Sequence, residues 1–360
     1  MVITDVRTSI LRSPLHTPFV TALRRTTTSD SLLVTITDDE GHTGYGEAPQ
    51  IWQVTGASIP GTRACVEELL GPLLIGADPR DYVDLIHRVR GAVAGNEAAI
   101  CAIDVALHDL AARVAGIPLV QLLGGSAPSV VETDVTLAAG TVEELAAAAK
   151  ERAAEGFSVL KAKVGTGTAE QDVARVKAIR EAVGPDVTIR LDANQGWTPR
   201  EAVRAIRGLE DADLGIELVE QPVRREDIEG LAWVSDRVEL PILADEAVFS
   251  VHDLVAVIRH RAADLVNVKL AKCGGLLAAG TLLELARSEG LGTMVGCMME
   301  SEIGVGAAAS LVSAYGTSVV SDLDAPWWFA TSAVQGGMTL RDNQIHLPEV
   351  PGSGVEKILE

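Results

Sequence analysis

The sequence predicts an α/β protein: a closed βα barrel preceded by a smaller α+β domain. Two observations carry this. From about residue 130, eight short β-rich runs alternate with seven longer Ala/Leu/Glu/Arg-rich runs. Before that point the texture is different, with alternating strand-like runs followed by helical patterns. Strand–helix alternation implies a parallel sheet covered by helices. Eight such strands within about 190 residues imply that the sheet closes on itself. A doubly wound open sheet is the competing architecture. The count of eight and the lack of a GxGxxG turn favour the barrel.

Element by element, residues 2–12 and 31–37 alternate apolar and polar positions, as half-buried strands do. Asp38-Asp39-Glu40-Gly41 reads as a turn, and 42–47 returns as a third strand. Helical patterns follow at 62–75, 79–90 and 95–115. The last stops at Gly116 with Pro118 just beyond. The barrel strands are Thr133–Thr136, Val159–Lys163, Thr188–Asp192, Glu217–Glu220, Ile242–Asp245, Leu265–Lys269, Gly292–Gly296 and Ser318–Asp322. The helices between them lie at 141–155, 169–183, 199–211, 226–236, 250–261, 275–288 and 303–314. An eighth helix is not obvious in the sequence. Residues 325–360 carry Pro, Gly and short strand-like pieces, and are expected to pack back on the N-terminal domain. The expected division is a capping domain over 1–125, a barrel over 126–325 and a returning tail over 326–360.

The 360 residues are ample for a large core, and 47% hydrophobic with 22% charged is an ordinary globular balance. A formal charge of −20 argues against nucleic acid and anionic membranes as partners. No apolar run approaches the ~18 residues of a membrane helix, and the N-terminus has no signal-peptide pattern. Cys65, Cys101, Cys273 and Cys297 form no CxxC pair, which points to a reducing cytoplasm.

Charged residues end five consecutive barrel strands. Strand two ends in Lys161-Ala162-Lys163, strand three in Asp192, strand four in Glu220, strand five in Asp245 and strand six in Lys269. Lys163 to Asp192 is 29 residues, and the next intervals are 28, 25 and 24. Each is one βα unit, so all the charges fall at one height around the barrel mouth, where active groups gather. A single acidic residue at a strand end is ordinarily a solvated loop charge. Three converging carboxylates, by contrast, repel strongly unless a cation sits among them. Oxygen ligands without His or Cys select Mg²⁺ or Mn²⁺. Asp192, Glu220 and Asp245 therefore read as a metal triad.

Lys161 and Lys163 are two apart on one strand and share a face. Lys269 approaches across the ring. An ordinary lysine, pKa about 10.4, is a poor base at neutral pH. A second ammonium and a divalent cation are expected to push it down, with Lys161 acting so on Lys163. Two lysines facing each other across a metal can remove a proton from one face of a carbon and return one to the other. The metal would stabilise the enediolate formed next to a carboxylate. That constellation reads as racemisation or epimerisation.

KAK, LDANQGW, VEQP, ADE and VKLAKCGG resemble the enolase superfamily, muconate-lactonizing subgroup, over nearly the whole chain. A Lys or His base with one or two Mg²⁺ ions is a known feature of that superfamily, implied here by the resemblance. The resemblance implies a (β/α)7β-type TIM barrel, with the capping domain completed by the C-terminal tail. It implies Lys163 and Lys269 as the acid/base pair, Lys161 as a supporting lysine, and Asp192, Glu220 and Asp245 as metal ligands.

Members of the superfamily share only the first half-reaction, so the fold does not choose the substrate. Asp322-Leu323-Asp324, at the end of strand eight, places two carboxylates on one side of the mouth. Two carboxylates can hold one ammonium. This Asp-x-Asp, followed by Ala-Pro, resembles the dipeptide epimerases, and the resemblance implies that it holds a dipeptide's α-ammonium. Thr136, Lys161, Cys297 and Met299 match positions lining that site, although Cys297 and Met299 fit equally well as core filler. TALRRTTT at 21–28 and GEAPQIWQVTG at 46–56 are the expected lid loops. Arg25 reads as a solvated charge. Arg24 matches the position that pairs with an acidic side chain in the dipeptide's second residue, which suits Glu.

The implied activity is L-Ala-D/L-Glu epimerisation, as in murein peptide recycling, by a cytoplasmic homo-oligomer. An N-acylamino-acid racemase or a cycloisomerase is the alternative within the superfamily. Asp322 and Asp324 speak against both, since neither substrate offers a cation. A binding protein that has lost catalysis is the alternative from another class, and the full set of charged residues speaks against it.

Overall fold

The computed structural model describes residues 1–21 and 25–359. The N-terminal part opens with an antiparallel sheet in the order β1 (Ile3–Val20), β2 (Arg25–Asp38), β3 (Thr43–Pro49). The first two strands are longer than the alternating pattern suggested. Positions 25–28, expected in a loop, extend β2. Asp38 closes the turn to β3 by accepting from Glu40 N and His42 N. The pattern at 62–75 resolves into α1 (Ile59–Ala64), a π turn over Cys65–Leu70 and a 3-10 turn over Gly71–Leu73. Pro72 has no backbone N–H to continue an α-helix, which accounts for the tightening there. Then come α2 (Tyr82–Ala92), α3 (Glu97–Ala115) and the short α4 (Leu119–Leu122). Every residue of α3 from Ala98 to Ala112 is buried. It is a hub that packs on the sheet and on the barrel.

Beyond the edge strand β4 (Val130–Glu132), the barrel runs β5 (Val135–Leu137), α5 (Val142–Ala154), β6 (Val159–Lys163), α6 (Ala169–Val183), β7 (Thr188–Asp192) and α7 (Pro199–Asp211). It continues through β8 (Ile216–Glu220), α8 (Ile228–Ser235), β9 (Ile242–Ala244), α9 (Val251–His260), β10 (Leu265–Lys269), α10 (Leu270–Cys273), α11 (Leu276–Ser288), β11 (Gly292–Gly296) and α12 (Glu302–Tyr315). Thr141, Thr168 and Thr198 start α5, α6 and α7 with complete capping boxes, which set where those helices begin.

Seven strands form one parallel sheet in the order β5 to β11. The eighth expected strand, Ser318–Asp322, is not a regular strand. It holds the eighth place by isolated bridges, Gly296 to Asp322 on one side and Thr133 to Ser321 on the other. Ser318 N, Asp322 N and Asp134 N donate across these seams to Thr293 O, Val295 O and Ser321 O. The ring is therefore closed, but its last position rests on few bonds.

The tail supplies β12 (Val334–Gly336), β13 (Thr339–Arg341), β14 (Gln344–His346) and β15 (Val355–Ile358). Val334 and Val355 pack with Leu11 and Leu33 of the N-terminal sheet. No helix among the described residues is long and apolar enough to cross a membrane.

Candidate active site

The expected charges do meet at one height. Lys161 and Lys163 are in the last three residues of β6, Asp192 ends β7, Glu220 ends β8, and Lys269 ends β10. Asp245 falls one residue past β9. In register, Lys163 lies beside Asp192, and Asp192 beside Glu220. In a ring of eight positions, β6 and β10 stand four steps apart, on opposite walls. All six side chains are buried.

The loops that follow are strained in a way that fixes these carboxylates. Gln221 has φ of 33° although a proline follows, a conformation a side chain rarely adopts. Its amide oxygen accepts from Asp245 N and Ala247 N, each at 3.0 Å, and its amide nitrogen donates to Val223 O. One side chain thus ties the ends of two neighbouring strands. In the loop after β7, a Cβ on Gly196 would lie 2.6 Å from Gly165 O, so only glycine lets the loops after β6 and β7 touch.

Each carboxylate is turned onto an ammonium. Lys161 Nζ lies 2.6 Å from Glu220 Oε2, 2.7 Å from Asp322 Oδ2 and 3.2 Å from Asp192 Oδ2. Lys163 Nζ donates to Asp192 Oδ2 at 2.6 Å, and Lys269 Nζ to Asp245 Oδ2 at 2.9 Å. Burial works against the charge on Lys161, but Asp322, Glu220 and Asp192 outweigh it and hold the ammonium well above its ordinary range. Lys269 is held up likewise: burial and Lys161 push down, and Asp245, Glu220 and Asp322 prevail. Lys161 lowers Lys269, as a neighbouring ammonium does, but it does not set the direction there. The surrounding carboxylates decide the sign.

Several participants were not foreseen. Lys272, fully buried on α10, donates to Asp245 Oδ1 at 2.6 Å and to Asn267 O at 3.0 Å. Asn267 donates to Glu220 Oε1 at 2.9 Å. Burial, with Asp245 and Asp192 nearby, pushes Glu246 up to about 8. Burial pushes Glu220 up to about 7, with Asp192 and Asp245 adding to it against the two lysines. Below this layer Arg190 is buried on β7 and donates to Asp134 Oδ2 at 3.0 Å and Val320 O at 2.7 Å. The last strand end is thereby tied across the barrel interior.

Among the described residues no group of three His, Cys, Asp or Glu side chains stands ready-gathered around a metal position. The reason is visible above: lysines and Asn267 engage the oxygens of Asp192, Glu220 and Asp245. The donor set nevertheless fits a hard divalent cation. It consists of oxygens only, in a buried cluster. Asn194 Oδ1 and Glu246 Oε2 beside it are buried without a hydrogen-bond partner, and Glu220 Oε2 has only its ion pair with Lys161.

A pocket opens over this layer. It is lined by Lys161, Lys163, Lys269, Asp245, Asn194 and Glu246, by Thr136, Cys297, Met299, Asp322 and Asp324, and by Phe19, Thr21, Ile51, Val54, Met298 and Ala325. All of the expected substrate-side residues lie in it except Arg24, which is outside the described residues. Arg25 is exposed and lines a second hollow that shares Ile51 and Met299 with the first.

Two family models match the chain. The mandelate racemase / muconate lactonizing enzyme N-terminal domain covers residues 3–124, and the enolase C-terminal domain-like family covers 144–358. The chain belongs to the enolase superfamily. It is similar to the L-Ala-D/L-Glu epimerase of Bacillus subtilis, 42% identical over 99% of this chain and 97% of that one. The substrate-liganded structure of the B. subtilis enzyme matches with a TM-score of 0.97 at 41% identity, covering 100% of both chains. It is also similar to the hydrophobic dipeptide epimerase of Enterococcus faecalis, 42% identical over 99% of each chain. The structure of the E. faecalis dipeptide epimerase with Mg and L-Leu-L-Tyr matches with a TM-score of 0.94 at 40% identity, covering 99% of this chain and 100% of that one.

Proposed function

We propose that this superfamily member is a Mg²⁺-dependent dipeptide epimerase, an isomerase that inverts the α-carbon of a dipeptide's second residue. The observation that carries this reading is the pairing of lysines on opposite walls with two carboxylates at the same mouth. Lys163 and Lys269 flank the pocket from β6 and β10, and Asp322 and Asp324 line it from the eighth position.

In this reading one lysine enters neutral and takes the α-proton from one face. The other enters charged and returns a proton to the opposite face. The two then end with their charges exchanged, and the carbon is inverted with no net loss of a proton. Lys161, paired with Glu220, Asp192 and Asp322, acts as a fixed positive charge. Asp322 and Asp324 take the substrate's α-ammonium. Asp192, Glu220 and Asp245 hold Mg²⁺, for which Mn²⁺ would present the same hardness. When bound, the cation supplies positive charge beside the substrate's carboxylate as the α-carbon loses its proton. The burial of the site keeps water from competing for the lysines.

We favour L-Ala-D/L-Glu as the substrate pair. The likeness to the B. subtilis enzyme supports it, as does Arg24 in the sequence. One observation favours a second reading. Phe19, Ile51, Val54, Met298 and Met299 make much of the lining apolar, which suits a hydrophobic second residue. The four free cysteines are in keeping with a cytoplasmic protein. The capping, barrel and tail roles over 1–125, 126–325 and 326–360, and assembly into a homo-oligomer, belong to the same proposal.

The test is deuterium uptake in D₂O with Mg²⁺ across a library of L-L dipeptides, read by mass spectrometry. Single-deuterium incorporation and epimerisation of L-Ala-L-Glu support the favoured pair. Uptake confined to hydrophobic dipeptides keeps the mechanism and replaces the substrate. No dipeptide uptake, with turnover of N-acylamino acids, overturns the ammonium role of Asp322 and Asp324.

A further inference from the structure

We propose that Trp328 is a positioning residue for the substrate's α-ammonium, its indole N–H holding Asp324 in the orientation that presents a carboxylate oxygen to the pocket. This rests on the ammonium role assigned above to Asp322 and Asp324. Trp328 ends the short 3-10 turn Ala325–Trp328 that follows Asp324. Its Nε1 donates to Asp324 Oδ2 at 3.0 Å, and the same oxygen accepts from Thr136 N at 2.8 Å. Two donors on one oxygen fix the carboxylate plane and leave Oδ1 as the oxygen to offer a ligand. Asp322 is treated alike, with its Oδ2 taken by Lys161 at 2.7 Å. Each member of the pair is thus anchored through one oxygen by a buried donor from another part of the barrel.

The direction of the indole N–H is itself fixed. His16 lies parallel to the Trp328 ring at 5.9 Å, Phe19 meets it edge-on at 5.0 Å, and Trp327 does so at 5.1 Å. His16 and Phe19 belong to β1, and Phe19 also lines the pocket. The strand that leads into the expected lid therefore grips the ring that aims the carboxylate. The charge of Asp324 needs this support. Burial and Asp322 push its carboxyl upward, towards the neutral form, while Thr136 N–H and the Trp328 indole act against them. A neutral carboxyl would give an ammonium no charge to pair with.

Aromatic packing alone would make Trp328 a core residue with no bearing on the ammonium, and the experiment separates the two. Trp328 is replaced site-specifically by benzothienylalanine, whose sulfur takes the place of the N–H in the same shape, and separately by W328F. The KM for L-Ala-L-Glu is measured with Mg²⁺ present. So is the inhibition constant of N-propionyl-L-glutamate, the same frame without the ammonium. The expected result is a rise in dipeptide KM of about tenfold, with kcat little changed, while the inhibition constant stays within about twofold. An equal change in both quantities, or in neither, for the folded isostere overturns the proposal. A wild-type protein that binds the two compounds equally well overturns the ammonium assignment itself, which is a separate result.

Discussion

Glu47 of β3 grips Ser301, the residue that starts α12, and so joins the N-terminal sheet to the barrel. Both carboxylate oxygens accept from Ser301 N, at 3.0 and 3.1 Å, and Oε2 also accepts from Gly304 N at 3.3 Å. Ser301 Oγ donates to Oε2 as well, and Ser31 Oγ, on β2, donates to Oε1 at 2.7 Å. A carboxylate at a helix N-terminus is favoured by the unpaired N–H groups there. Asp104 of α3 does the same for α11, accepting from Leu276 N at 2.6 Å. Two barrel helices thus take their first turns from the N-terminal domain. The loop over 297–299, which lines the pocket, is held just before the first of these contacts.

Removing that grip should unfold the joint before it touches the chemistry. Glu47→Ala strands two buried N–H groups, at about 1–3 kcal/mol each, so a loss of about 3 kcal/mol is expected. Glu47→Gln keeps an accepting oxygen and should recover most of it. Urea denaturation with a shared m-value checks both.

Glu300 lies next to this joint and makes stability depend on pH. Burial and the charge of Glu47 push its carboxyl from 4.5 up to about 8. A folded value above the unfolded one means that its stabilisation is whole below pH 4.5 and is lost as pH rises from there through about 8. Wild type should therefore lose about 2–4 kcal/mol between pH 5 and 9 that Glu300→Gln does not lose. The checking measurement is the urea midpoint of both proteins across that range. Parallel curves would mean that Glu300 does not titrate there.

Specificity tests Arg24 directly. Arg24→Leu should lower kcat/KM for L-Ala-L-Glu about a hundredfold, the order expected for a lost bidentate carboxylate contact. Turnover of L-Leu-L-Tyr should be unaffected or improved. Equal effects on the two dipeptides would remove Arg24 from substrate recognition.

Much of this was legible in the sequence because the barrel repeats. Seven strands and all seven helices follow from periodicity, and the charged strand ends share one spacing. Ser318–Asp322 read as a strand because its residues suit one, yet only tertiary bridges hold it in the ring. The tightening of 62–75 is a local backbone adjustment around Pro72 that periodicity does not register. Lys272 stayed hidden because it sits a helical turn past its strand, within VKLAKCGG, and reaches back to Asp245. Trp328 and Gln221 stayed hidden because they act through a hydrogen bond to a neighbour and carry no charge pattern of their own. The sign at Lys161 and Lys269 depends on distances to several carboxylates, and spacing along the chain does not contain those.

The most direct test of the two-lysine mechanism is α-proton exchange by Lys163→Ala and Lys269→Ala in D₂O with Mg²⁺, followed by NMR on each diastereomer of the dipeptide. Both variants should lose epimerisation by a factor of about 10³ or more. Each should still exchange the α-proton of one diastereomer, and the diastereomer should differ between the two. Exchange of both diastereomers by either variant, or epimerisation that survives in one of them, would contradict the assignment of one lysine to each face.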